Sequence, residues 1–205
     1  MRPSGNRFDA LISIPRNAYN YSSWTADTPT NWTEALVSAV NGPIFRATSA
    51  IVTVRGGGRY TAGTRISAIP RGSVRGTSAT AGQAIYLLRP GTDTRRLVMT
   101  TELASAGTVA KIYILMLTDK DTYSATRYST TIHGTPPAMR IESRAGTVTA
   151  YLSSDGGLTW ESVYSAIDAT AFGTAGAGTH VGIGAYTGES GTIVNTYAPY
   201  ALVEA

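Results

Sequence analysis

The chain contains no cysteine, so disulfides and thiolate metal sites are both excluded. It is also poor in charge, at 15% Asp, Glu, Lys and Arg. A hydrophobic content of 42% nevertheless argues against disorder and, over 205 residues, allows a sizeable core. No apolar run approaches the roughly 20 residues that carry a helix across a bilayer. The opening MRPSGNRFDA has charge but no apolar stretch behind it, so it does not read as a signal peptide. The expectation is either a leader removed from a secreted protein or export by another route, such as virion assembly and lysis. Histidine is scarce too: His133 and His180 are the only two, and nothing in the sequence sets a serine or an acid beside either.

Lysine is nearly missing as well, with two Lys against fifteen Arg. Residues 1–90 hold ten Arg and three acids, a balance of +7, whereas residues 91–205 hold seven basic and ten acidic residues, a balance of −3. A basic half can meet nucleic acid. These arginines, however, stand singly among Gly and Ser without any Lys/Arg run. Neither nucleic acid nor membrane is expected as a partner.

What is present is a chain of short β-type runs. Residues 1–31 are broken by Pro3, Gly5, Pro15 and Pro29 around a possible strand at Phe8–Ile14, and carry the aromatics Tyr21 and Trp24. Trp32–Val40 predicts one short helix. Asn31 stands at its N-cap with Glu34 three residues on, and Trp32, Leu36, Val37 and Val40 share a face. Residues 1–45 are expected to form a docking segment through Tyr21, Trp24 and Trp32, with residues 46–205 forming a β-sandwich. Strands are predicted at Ile44–Val54, Gln83–Leu88, Arg95–Leu103, Thr108–Leu117, Tyr123–Ile132, Val181–Tyr186 and Tyr197–Val203. The Gly-, Ser- and Arg-rich stretch Thr61–Gly82 reads as a long loop or an exposed hairpin. The run IYILML at 112–117 is apolar almost throughout, which predicts a central strand covered on both faces.

The most informative stretch is Met139–Tyr164. Met139, Ile141 and Ser143 alternate with Arg140, Glu142 and Arg144, the period-2 pattern of a half-buried strand. Ala145-Gly146 reverses the chain, Thr147–Ser153 alternates again, and Asp155-Gly156-Gly157 turns it towards Trp160. The residues Arg144, Gly146, Ala150, Tyr151, Ser153, Asp155, Gly156, Gly157, Thr159 and Trp160 resemble the R-x-G-x-x-x-x-A-Y-x-S-x-D-G-G-x-T-W meander of the concanavalin A-like (laminin G-like) jelly-roll superfamily. The resemblance covers about Arg95 to Ala205 and implies an all-β sandwich of two antiparallel sheets.

Glycosidases that resemble this fold use two carboxylates on one strand, about 5 Å apart in a retaining mechanism. Glu142, Glu161 and Glu189 stand alone here, and Glu102 has no acidic partner at i+2 or i+4. No catalytic residue is therefore assigned and the chain is not expected to be an enzyme. Calcium, which many relatives of that fold bind, would need about six to eight oxygens. Asp119 and Asp121 are the candidate ligands, and no other cofactor is implied. Tyr123, Tyr128, Tyr151, Trp160 and Tyr164 are the candidate glycan-binding residues, since sugars stack on aromatic rings, although a tryptophan in such a meander more often anchors a hairpin. The expected role is a virion structural protein, a capsid decoration or minor tail protein, with a glycan-binding face. Its partners would be other virion proteins or copies of itself, and a cell-surface glycan. The alternative is a carbohydrate-binding module of a secreted bacterial protein.

Overall fold

The computed structural model describes residues 25–26, 32–36, 43–48, 59–68, 72–75, 81–89, 95–103, 109–119, 122–133, 137–187, 193–197 and 202–204. Among them lie sixteen strands and one four-residue helix, α1 (Asp168–Ala171). One sheet has seven strands, in the order β1 (Thr25–Ala26), β4 (Arg59–Ala62), β14 (His180–Thr187), β7 (Ala81–Leu88), β8 (Arg96–Leu103), β9 (Val109–Leu117) and β10 (Tyr123–His133). A second has five, in the order β13 (Glu161–Ile167), β12 (Thr147–Ser153), β11 (Ala138–Arg144), β5 (Arg65–Ala68) and β16 (Leu202–Glu204). A smaller ladder of β2 (Trp32–Leu36), β3 (Pro43–Thr48), β15 (Ile193–Tyr197) and β6 (Gly72–Arg75) lies near β7 and β14. Every pairing is antiparallel.

The two large sheets meet across one core, and alternation decides which residues enter it. Ile85 and Leu87 on β7, Leu97 and Met99 on β8, and Ile112, Ile114 and Met116 on β9 point inward. They meet Ile66 on β5, Met139 and Ile141 on β11, and Val148 and Ala150 on β12. Each such side chain contributes about 1.5–3 kcal/mol by leaving water. Phe172, directly after α1, is fully buried and plugs one end. The loop behind it is pinned by three arginines, two flanking the ends of β7 and β8 and one within β10. Arg127 Nε donates to the Ala171 carbonyl at 3.1 Å, Arg95 to Phe172 at 3.2 Å and Arg89 to Ala175 at 2.7 Å.

The other face of the seven-stranded sheet is equally dry at its centre. Tyr86, Val98 and Leu117 there are fully buried, with Ala84, Leu88 and Leu115 nearly so. Strand β9 is thus covered on both faces, as its unbroken apolar run predicts. Arg96, also buried, stacks its guanidinium 5.4 Å from the centre of the Tyr86 ring. This part of the sheet offers no surface to a ligand.

Three expectations are corrected. Trp32–Leu36 is a strand, not the start of a helix, and pairs with Pro43–Thr48 from Trp32↔Ala47 to Leu36↔Pro43. The one-face pattern of Trp32, Leu36, Val37 and Val40 gave way because intrinsic helix preference is worth only tenths of a kcal/mol per residue, less than a ladder's hydrogen bonds and packing. Within Thr61–Gly82, Arg65–Ala68 is neither loop nor exposed hairpin; β5 runs between β11 and β16 and buries Ile66. The closing run Tyr197–Val203 is divided between β15 and β16, which belong to different sheets. Strand β3 also straddles the 45/46 boundary, and β1 pairs with β4, so strands from the first 45 residues are built into the sheets. Phe8–Ile14, Tyr21 and Trp24 lie outside the described residues.

The margins of the large sheets are blunted. On one side the edge strands β1 and β16 show two and three residues among those described. On the other, β10 bulges at Ser124 and Arg127, and β13 at Val163, where the partner register skips a residue.

Candidate functional site

The meander that dominates the sequence folds around two turns. Ala145 and Gly146 both take positive φ, 50° and 78°, the pattern of a two-residue type I′ hairpin. The second turn is organised by Asp155. Its carboxylate accepts from Ser153 Oγ at 2.6 Å, Leu158 N at 3.0 Å, Thr159 N at 3.0 Å and Thr159 Oγ1 at 2.6 Å. The hydrogen bonds from Ser153 and then Thr159 hold the Asp155 carboxyl far below the usual carboxylate range. Ser153 Oγ in turn accepts from Gly157 N at 2.7 Å. The Ser, Asp, second Gly and Thr of the motif are therefore one clamp. Gly157 is fixed further by φ of 98° and by Trp160, whose Cζ2 would lie 3.3 Å from any Cβ there.

The clamp delivers Trp160 to the outer face of the five-stranded sheet, where the outward residues of β11, β12, β5 and β16 line up by register. One row runs Glu204, Arg65, Glu142. Arg65 makes a two-pronged bond to the Glu204 carboxylate, and its Nη1 lies 3.7 Å from Glu142 Oε2. The hydrogen bond to Glu204 outweighs burial and raises the Arg65 pKa. Tyr151 reaches diagonally and donates its hydroxyl to Glu142 Oε1 at 2.8 Å. Burial, then that hydrogen bond, raises the Tyr151 pKa.

The next row runs Ser67, Arg140, Tyr151. Arg140 Nε donates to Ser67 Oγ at 2.9 Å. Its guanidinium stacks 4.0 Å from the centre of the Trp160 ring and 6.0 Å from that of Tyr151. Burial, and next the charge of Arg65, lowers the Arg140 pKa. The result is a half-buried platform of one cation and two aromatic rings, bordered by carboxylates already engaged with Arg65.

No protein-family model matches the chain, and no curated protein does. Solved structures do. A functionally unknown protein from Saccharomyces cerevisiae matches with TM-score 0.50 and 14% identity, over 90% of this chain and 98% of the other. A Bacillus licheniformis β-glucanase matches with TM-score 0.50 and 8% identity, over 93% and 96%. The fold is the concanavalin A-like jelly roll. The CBM2 module of the evolved Dit of Lactobacillus casei BL23 phage J-1 also matches, with TM-score 0.40 and 12% identity, over 92% and 94%. Identities this low speak for the fold and not for activity.

Within the jelly roll the five glycan-binding candidates separate. Tyr151 and Trp160 come together around Arg140. Tyr128 and Tyr164 pack against the core between the sheets, and the buried Tyr164 hydroxyl meets no hydrogen-bond partner among the described residues. Burial raises its pKa. Tyr123 stands apart at the start of β10, exposed, with its hydroxyl 3.0 Å from Thr126 Oγ1. Of the docking candidates, Tyr21 and Trp24 lie outside the described residues, and Trp32 is placed only as the first residue of β2. The sequence pointed to neither Arg65, Ser67, Arg140 nor Glu204 as site residues.

Asp119 behaves as a turn residue. Its Oδ1 accepts from Thr122 N at 2.8 Å and its Oδ2 from Thr122 Oγ1 at 2.8 Å. Asp121 lies outside the described residues. Among the described residues no three His, Asp or Glu side chains gather as a metal-holding group, so the oxygens calcium needs are not assembled from them. His180 Nδ1 lies 3.1 Å from Thr179 Oγ1. Glu142 and Glu204 both converge on Arg65, an arrangement that tethers β16 to β5.

Proposed function

We propose that the chain is a non-catalytic saccharide-binding domain that serves as a structural component of a virion, as a capsid decoration or minor tail protein. The observation that carries the binding half is the platform of Tyr151 and Trp160 around Arg140. Aromatic faces take the apolar face of a pyranose, and the neighbouring Ser67, Tyr151 and Arg140 supply hydroxyl and N–H groups for its oxygens. The dry centre of the opposite sheet leaves this face as the broad, wettable surface of the described sandwich. The non-catalytic half is supported by the tethering of Glu142 and Glu204 to Arg65. The virion half rests on a cysteine-free, charge-poor composition and on fold-level analogy.

The test is a pull-down of the full-length protein on insoluble cell-wall polysaccharides. Saturable binding, displaced by soluble fragments and reduced about tenfold or more by Tyr151→Ala with an unchanged circular dichroism spectrum, is the expected outcome. Undiminished binding by that variant would remove the face from consideration. Co-sedimentation with particles separates the virion role from that of a secreted module, which would bind in the same way. Truncation of residues 1–45 is a poor probe of docking, because it removes β1, β2 and half of β3 from the sheets.

A further inference from the structure

Two arginines occupy adjacent rows of the five-stranded face, and their surroundings differ in one decisive respect. Arg65 has two carboxylates, Glu204 and Glu142. Arg140 makes no close ion pair among the described residues and feels Glu204 and Glu142 only at longer range; its one hydrogen bond there is Nε to Ser67 Oγ at 2.9 Å. Its Nη1 and Nη2 atoms, with four N–H donors, meet no acceptor there, although the side chain is half buried. Burial, and next the charge of Arg65, depresses its pKa more than the longer-range charges of Glu204 and Glu142 raise it.

Arg140 is also held still. Ser67, 7% exposed, fixes the Nε edge, and the Trp160 ring fixes the guanidinium plane at 4.0 Å. Trp160 is in turn set by the Asp155 clamp and the close approach of Gly157. The entropy of freezing a long side chain has already been lost before any ligand arrives. Glu142 and Glu204 are engaged with Arg65, and Arg144 stands exposed on the same outward face of β11, so among the described residues of β5, β11 and β16 this face carries three arginines and two glutamates.

We propose that Arg140 is an anion-reading subsite, taking the carboxylate of a uronate-type acidic sugar on the fork of its two Nη atoms. The planar fork matches a planar carboxylate in a bidentate bond, which a lysine in the same place could not form. Tyr151 and Trp160 form the walls against which the sugar ring lies. This subsite deepens the saccharide-binding reading and rests on it.

The experiment is calorimetric titration of the full-length protein at physiological salt with three probes: oligogalacturonate, a neutral galacto-oligosaccharide of equal length, and dextran sulfate. Wild type, Arg140→Lys and Arg140→Gln are compared, with thermal melting as the control for folding. The expected result is a preference of about tenfold or more for oligogalacturonate over the neutral sugar. Arg140→Gln abolishes the preference, weakening oligogalacturonate binding far more than neutral binding; Arg140→Lys loses most of the preference despite the retained charge. Binding of the neutral sugar with no preference overturns the proposal and leaves the saccharide reading standing. Dextran sulfate binding as tightly as oligogalacturonate, with Arg140→Lys unimpaired, overturns it in favour of general polyanion attraction. Failure of all probes to bind, the neutral sugar included, removes both.

Discussion

Tyr86 and Gly182 are register partners across β7 and β14, and the tyrosine ring lies in the space a side chain at Gly182 would need. A Cβ there would stand 2.1 Å from Tyr86 Cζ, a distance no relaxation of a fully buried ring can absorb cheaply. Gly182→Ala is therefore expected to cost about 1–3 kcal/mol or more, measured by urea denaturation. The same substitution in a Tyr86→Leu background should cost much less, with a coupling of at least about 0.5 kcal/mol in a double-mutant cycle. Strict additivity would show that the ring and the glycine do not share that space.

The Asp155 clamp gives a pH signature. Its carboxyl titrates far below its value in the unfolded chain, so its contribution is fully present above the unfolded pKa of about 4 and is lost as pH falls below that towards the depressed folded value. Asp155→Asn should lower the melting temperature at neutral pH, and the gap to wild type should narrow below about pH 4. A gap independent of pH down to strong acid would contradict the clamp.

Arg65 and Glu204 join β5 to the short terminal strand β16. Both side chains are about one-third exposed, at 31% and 33%, which limits their worth. Glu204→Gln is expected to cost about 0.2–1 kcal/mol, less at high salt, and to speed amide exchange in β16 ahead of its neighbours. Unchanged exchange at Val203 and residue 204 would show that backbone pairing alone holds the strand.

Tyr164 predicts a gain. Its buried hydroxyl meets no hydrogen-bond partner among the described residues, and Tyr164→Phe removes that group while keeping the ring. Stability should rise by up to about 1 kcal/mol in chemical denaturation. A clear loss would mean that the hydroxyl has a partner in solution, such as a trapped water.

Much of the sandwich was legible because its strands are half buried and their side chains alternate. Thr147–Ser153 was predicted with the bounds found, and Arg95–Leu103, Thr108–Leu117 and Tyr123–Ile132 to within one residue at each end. Strand β5 was hidden, since Arg-Ile-Ser-Ala within a Gly- and Ser-rich stretch shows only one large apolar residue. Its placement is dictated by β11, more than seventy residues away in the chain, as the separation of 73 between Ser67 and Arg140 illustrates. The site was half legible for the same reason. Tyr151 and Trp160 stand in a local motif. Arg65 and Glu204, separated by 139 residues, become neighbours only through the order of the sheet.

The bulges at Ser124, Arg127 and Val163 bear on how the molecule can be stored and crowded. A free edge that is long and straight invites another chain to zip onto it and propagate a cross-β stack. Among the described residues, the bulges interrupt the margins at β10 and β13. The bulged margins therefore work against edge-to-edge pairing between copies when the protein is concentrated.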